Sequence, residues 1–177
     1  MEPLYCCRMS SPIGPLVLGA SITGLVLLEF DRGVFPPKTP IADWRQDPAR
    51  LQEYVQQLNE YFAGERHDFS FRLDLRGTPF QLKCWRALLQ IPYGETRTYA
   101  DIARAVGSPK GFRAVGLANN RNPIAIVVPC HRVIASDGTL CGYGGGLHIK
   151  RKLLELEGVR ADAELDWLSR HGTISVA

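Results

Sequence analysis

Cys130 and His131 stand side by side in the string VVPCHRVI, where an apolar run breaks at Pro129. A thiol is a good nucleophile only as the thiolate, so its ordinary pKa of about 8.5 must be lowered by a nearby base or positive field. His131 and Arg132 supply such neighbours in the chain. Adjacent side chains of a strand point to opposite faces, so contact between thiol and imidazole needs a turn here or a bridging water. A buried structural cysteine is the competing reading of the dipeptide. Glu157 bears on the choice. On a helix over LHIKRKLLELEG, at about 100° per residue, Glu157 falls between Leu153 and Leu154, inside the apolar stripe, while Lys152 and Glu155 fall outside it. A carboxylate facing a core is costly without a partner. Such an acid either bonds loop amides or orients a catalytic histidine. On these residues alone, a Cys130–His131–Glu157 relay and a structural arrangement both stand.

Other chemistries find less support. Cysteines at 6, 7, 84, 130 and 141 and histidines at 67, 131, 148 and 171 show no paired ligand spacing, so no metal is expected. The run GYGGG lacks the Lys-Ser/Thr ending of a phosphate loop and reads as a flexible loop bordering a pocket.

The elements that must position these groups divide at Gly77. Upstream, LYCCRM, PLVLGA and LVLLEF are separated by turn signals and read as a three-stranded antiparallel meander. Residues 32–46 read as an irregular connection. Asp47 is expected to cap a helix with Pro48 at its first position, running to Gly64. FSFRLDL alternates like a further strand. Downstream, Thr78-Pro79-Phe80-Gln81 opens a helix with a capping box, and its narrow polar strip (Lys83, Arg86, Gln90) predicts that it is largely buried. Thr98 and Asp101 form a second such start, opening a helix that Gly107 ends. Ser108-Pro109 restarts a helix through FRAVGLANN, and the pair reads as a helix-turn-helix. IAIVV reads as a short buried run, and the chain after Gly158 as a peripheral tail with one short helical piece. The fold class is α+β, with domains at 1–77 and 78–177.

In the second helix of the pair Ala114, Gly116 and Ala118 are small, and Arg113, Asn119, Asn120 and Arg121 are polar. Small residues let a helix backbone approach something closely: the core, or a nucleic-acid groove with Arg113 projecting. Net charge is +3 over 177 residues, but residues 1–77 carry −2, residues 78–177 +5, and the stretch 95–152 alone +6. That asymmetry suits a polyanionic partner and also fits a solvated basic surface. With 45% apolar and 22% charged residues, the composition excludes a disordered or collagen-like chain. No apolar run approaches the roughly 20 residues of a bilayer span, the first residues lack a secretory pattern, and an odd set of five cysteines fits a reducing compartment. A cytoplasmic protein without a membrane partner is expected.

Taken together, NPIAIVVPCHRVIASDGTLCGYGGGLHIKRKLLELEG, TPFQLKCWRALLQIPYGETRTYADIARAVG and FRAVGLANNRNP closely resemble the O6-alkylguanine-DNA alkyltransferases, the methylated-DNA–protein-cysteine methyltransferases. The likeness covers about residues 78–158, and residues 1–77 are similar, loosely, to the family's ribonuclease-H-like α+β domain. The resemblance implies a mainly helical C-terminal domain that repairs DNA by one irreversible alkyl transfer from O6-alkylguanine, and from O4-alkylthymine, without cofactor. It makes Cys130 the alkyl acceptor, His131 the base acting through a water, Glu157 its orienting acid and Asn122 the organiser of the active-site turn. Tyr99 corresponds to the tyrosine that assists nucleotide rotation and donates toward the leaving guanine. Arg113 corresponds to the arginine entering the duplex where the target base left, on a helix whose Ala114, Gly116, Ala118 and Asn119 approach DNA. Pro129, Tyr143, Gly144 and Gly145 correspond to the pocket for the alkylated base. Double-stranded DNA bound through the minor groove is the implied partner, with cooperative self-association on DNA left open. Human-like members bind zinc through N-terminal Cys and His residues, for which this chain shows no matching set. Two rival classes remain: a lesion-binding protein without chemistry, and a thiol hydrolase using Cys130, His131 and Glu157.

Overall fold

The computed structural model describes residues 2–33 and 44–159. They fall into two units, the first ending at Arg76 and including Pro123–Ala125, the second beginning at Gly77 and resuming at Ile126.

In the first unit the meander forms from β1 (Leu4–Met9), β2 (Leu16–Ala20) and β3 (Leu25–Phe30). The strands pair antiparallel, with Met9 opposite Leu16 and Leu16 opposite Phe30. The stretch read as irregular holds one more strand, β4 (Trp44–Gln46), parallel to β1, giving the order β3-β2-β1-β4. Asp47 caps a tight turn rather than the helix. Its Oδ1 accepts from the Arg50 N–H at 3.3 Å, and the Leu51 N–H donates to the Pro48 carbonyl at 3.2 Å. That turn puts Leu51, fully buried, into the core before α1 (Gln52–Phe62) starts.

FSFRLDL is not a strand. Leu73 makes one bridge to Leu25, whose N–H donates to the Arg72 carbonyl at 3.0 Å. A Cβ at Gly24 would lie 2.5 Å from that carbonyl oxygen, so the close approach requires glycine there. The alternation that suggested a strand comes from packing on α1: Phe71 meets Tyr54 at 4.8 Å and Phe69 meets Tyr61 at 5.6 Å between ring centroids.

The second unit is mainly helical. Before α2 (Pro79–Leu88), Thr78 Oγ1 accepts from the Gln81 N–H at 3.2 Å and Gln81 Oε1 from the Thr78 N–H at 2.9 Å. This helix buries one face, through Cys84, Trp85 and Leu88, and leaves Leu89 exposed, so it is less enclosed than its composition predicts. β5 (Arg97–Thr98) leads into α3 (Tyr99–Ala105). There the Asp101 N–H donates to Thr98 Oγ1 at 3.0 Å and the Thr98 N–H to Asp101 Oδ2 at 2.8 Å. Gly107, at φ +77°, follows the end of α3. The next helix, α4, covers Phe112–Asn120. It starts later than Pro109 because residues 109–110 form a turn, and the Gly111 N–H closes that turn on the Ser108 carbonyl at 2.7 Å. The Trp85 indole N–H donates to the Ala118 carbonyl at 2.9 Å, tying α4 to α2. A 3-10 turn (Cys130–Arg132), β6 (Val133–Ile134) and α5 (Leu147–Leu156) complete the unit. The helical piece expected in the tail lies outside the described residues.

Candidate active site

The chain approaches Cys130 through turns. Residues 124–128 are largely buried, as expected, but they bend, and Ile126 holds φ at +71°. That conformation costs a β-branched residue about 1–3 kcal/mol. Cys130 opens the 3-10 turn, its N–H donating to the Val128 carbonyl at 2.8 Å. The chain turns at the Cys-His pair, but among the described residues His131 Nδ1 bonds nothing and Nε2 goes to Glu157, so thiol and imidazole make no direct hydrogen bond. Asn122 serves both purposes there: its amide N–H₂ donates to the Val128 carbonyl at 2.7 Å and toward Cys130 Sγ at 3.2 Å. β6 leaves this turn and pairs parallel with β5, Thr98 opposite Ile134, so the entrance of Tyr99 into α3 is tied to the strand that follows the thiol. The Tyr99 hydroxyl donates to the Cys141 carbonyl at 3.1 Å.

His131 and Glu157 meet inside the unit. His131 is fully buried and Glu157 is 5% exposed; His131 Nε2 lies 2.7 Å from Glu157 Oε1. Arg132 completes the pair, its Nε and Nη2 donating to the two oxygens of Glu157 at 2.8 and 2.9 Å and its Nη1 to the Ile91 carbonyl at 2.7 Å. Burial alone would raise the Glu157 pKa; hydrogen bonds from His131 and Arg132 outweigh it and hold it at about 2. An ionised carboxylate only accepts, so His131 Nε2 carries the proton and Nδ1 the basic lone pair. Nδ1 is buried and has no hydrogen-bond partner among the described residues. Burial lowers the imidazole's pKa against the pull of Glu157, which leaves it neutral and ready to accept a proton. The Cys130 thiol is pushed up by burial, while the Asn122 hydrogen bond and the charge of Lys150 pull it down.

Lys150 also belongs to this centre. It is fully buried on α5, and its Nζ donates to the carbonyls of Val133 at 2.5 Å and Cys141 at 2.8 Å. The signal was present: on the angular count that singled out Glu157, Lys150 falls between Glu157 and Leu154 in the same stripe. The guanidinium of Arg132, expected beside the thiol, instead neutralises Glu157.

A cavity of about 740 Å³ is lined by Tyr99, Phe112, Arg113, Gly116, Leu117 and Cys141 among others; Tyr99 and Cys141 connect it to this centre, while Cys130, His131 and Glu157 do not line it. Of the helix residues expected to face DNA, Arg113 and Gly116 line it, Ala114 is exposed elsewhere, and Ala118 and Asn119 are buried at 2% and 8% exposure. Those two turn inward because α4 packs that side against its own unit, where Trp85 bonds the Ala118 carbonyl. From the glycine-rich loop the cavity takes Cys141 and Gly142, not Tyr143, Gly144 or Gly145, and Pro129 does not line it either. Tyr143 is buried close enough to Cys130 and Glu157 for their charges, after burial itself, to raise its pKa. Gly144 is exposed. Among the described residues no three His, Cys, Asp or Glu side chains group as metal ligands, and no helix is long and apolar enough to cross a membrane.

Comparison with known proteins meets this geometry over nearly the whole chain. Residues 79–159 match the family described as 6-O-methylguanine DNA methyltransferase, DNA binding domain, and residues 4–75 its ribonuclease-like domain. The methylated-DNA–protein-cysteine methyltransferase of Mycobacterium bovis is 55% identical over 160 residues, 89% of this chain and 94% of that protein. The Methanosarcina barkeri protein of the same name is 51% identical, covering 87% and 97%. The structure of Mycobacterium tuberculosis OGT in complex with DNA superposes with a TM-score of 0.80 at 50% identity, over 92% of this chain and 99% of that one. With both domains matched and identity above half along most of its length, this chain belongs to the 6-O-methylguanine DNA methyltransferase family.

Proposed function

We propose that this chain repairs DNA by direct reversal, moving the alkyl group of O6-alkylguanine onto Cys130. The observation that carries the role of Cys130 is the division of labour in His131: one ring nitrogen is held by Glu157 at 2.7 Å and the other is buried and uncommitted beside the thiol's turn. Methylated-DNA–protein-cysteine methyltransferases at 50–55% identity support the same reaction. The alkyl carbon is out of reach within a stacked duplex, so the nucleotide must rotate out, at a cost of a few kcal/mol. Arg113 on the exposed face of α4 fills the vacated place from the minor groove, offsetting part of that cost. The thiol proton then passes toward His131 Nδ1 through a water, and Glu157 stabilises the imidazolium. The sulfur attacks the alkyl carbon, an S–C bond forms and the C–O6 bond breaks. Its electron pair returns to the purine, which takes one proton at N3 from the Tyr99 hydroxyl, and the proton held on His131 returns through water to the phenolate, so that the net change moves the thiol proton to guanine. Burial, then the nearby Cys141 and Cys130 charges, raise the Tyr99 pKa, which keeps the phenol protonated until that moment. A thioether is a very poor leaving group, so each molecule acts once.

Intact-mass measurement after incubation with a duplex containing O6-methylguanine tests this. One methyl group on Cys130, saturating at one equivalent, is the expected result, and Cys130→Ser takes none while still binding the duplex. A lesion binder leaves Cys130 free, and a thiol hydrolase turns over without retaining the group. An unrepaired duplex with a free thiol at Cys130 in folded protein overturns the proposal.

A further inference from the structure

Two large apolar side chains of α4 point outward: Phe112 is 50% exposed and Leu117 is 56% exposed. Both line the cavity that also takes Arg113, Gly116 and Asn120, and at about 100° per residue these five positions share one face of the helix. Gly116 lies angularly between the two. A Cβ there would meet nothing nearer than a Tyr99 ring carbon at 3.9 Å, an ordinary contact. The folded chain therefore does not require glycine, although glycine inside a helix costs about 1 kcal/mol relative to alanine. What the face offers outward is two hydrocarbon projections, a depression between them and one guanidinium.

That combination matches the opened minor groove of a duplex, which has charged rims, sugar edges along its walls and a base step that apolar side chains can enter. The residues 95–152, which include this face, carry a net +6, and with Arg132 and Lys150 buried inside the charge left outside is still positive; a 50% identical relative has been solved in complex with DNA. We propose that Phe112 and Leu117 are apolar wedges of the DNA-binding face, packing on sugar edges and the loosened base step on either side of Gly116. The inference rests on the repair reading above and deepens it. Apolar packing releases no counterions, whereas removing one phosphate contact changes the slope of log affinity against log salt by about 0.9. The wedges therefore add affinity that salt does not erode.

The test measures binding of Phe112→Ala and Leu117→Ala to a duplex containing O6-methylguanine over a salt series, alongside single-turnover transfer. Each variant should bind about fivefold more weakly, the share of a large side chain still to be buried and equivalent to ~1 kcal/mol, with an unchanged salt slope. Phe112→Leu should recover most of the loss. Transfer from the duplex should fall more than transfer from free O6-methylguanine. Ile22→Ala, which removes an apolar side chain 75% exposed between β2 and β3, should change none of these. Affinities within twofold of wild type, or losses that come with a flattened slope, overturn the wedges. If that happens while Cys130 still takes the methyl group, the repair reading stands. A wild-type Cys130 that stays unmethylated overturns both.

Discussion

Glu157 shows how much one buried charge can organise. It is held by three side-chain donors from the consecutive residues His131 and Arg132 and by the Gly94 N–H at 3.3 Å, so its removal frees the imidazole and leaves an arginine without its counter-charge. Glu157→Gln keeps the shape but loses the charge that would stabilise the imidazolium. Single-turnover transfer should slow by about 10²-fold or more, and the thermal midpoint should fall because Arg132 is left buried and unneutralised. Transfer at the wild-type rate in that variant removes Glu157 from the mechanism. The meeting of His131 with Glu157 was legible in the sequence because a histidine beside a cysteine and an acid inside an apolar stripe are chemical anomalies. The partners of Lys150 were not, because they are backbone carbonyls and carry no residue-type signal.

The elements that aim these groups are short, and their ends matter more than their lengths. Thr98 caps α3, pairs with Ile134 on β6, and immediately precedes Tyr99. Thr98→Ala should cost about 1 kcal/mol of stability, a drop of roughly 4–8 °C in a domain of about 100 residues, as should the matched cap variant Thr78→Ala on α2. Only Thr98→Ala should also slow transfer, since only that cap sets the position of Tyr99; equal rates in the two variants would make the Thr98 cap purely structural. Both capping boxes were readable, since each is written in four residues. The start of α1 was not: Asp47-Pro48 carries a helix-start signal, but burying Leu51 takes a turn first. FSFRLDL misled in the same way, its alternation answering to the aromatic side of α1 rather than to a ladder.

At the scale of the molecule, the buried relay makes stability depend on pH. His131 is held neutral with its pKa below the ordinary 6.5, so its contribution is complete above that value and is lost as pH falls and the unfolded chain takes the proton. Glu157 adds a second loss as pH falls from 4.5 toward about 2. Thermal melts from pH 8 to 3 should show the midpoint declining below about pH 6.5 and again below 4.5; a flat profile would mean that the relay is not formed. The sequence by itself marked Cys130, His131 and Glu157 as the candidate reactive group and determined the capped helices and the meander, because each is written in residue type and pattern along the chain. Tertiary structure alone decided which groups finally meet. It closed β5 against β6, gave Arg132 to Glu157, set Lys150 among carbonyls and turned Ala118 and Asn119 inward while Phe112 and Leu117 faced out. Those outcomes depend on backbone groups and helix rotation, which residue identities do not encode locally.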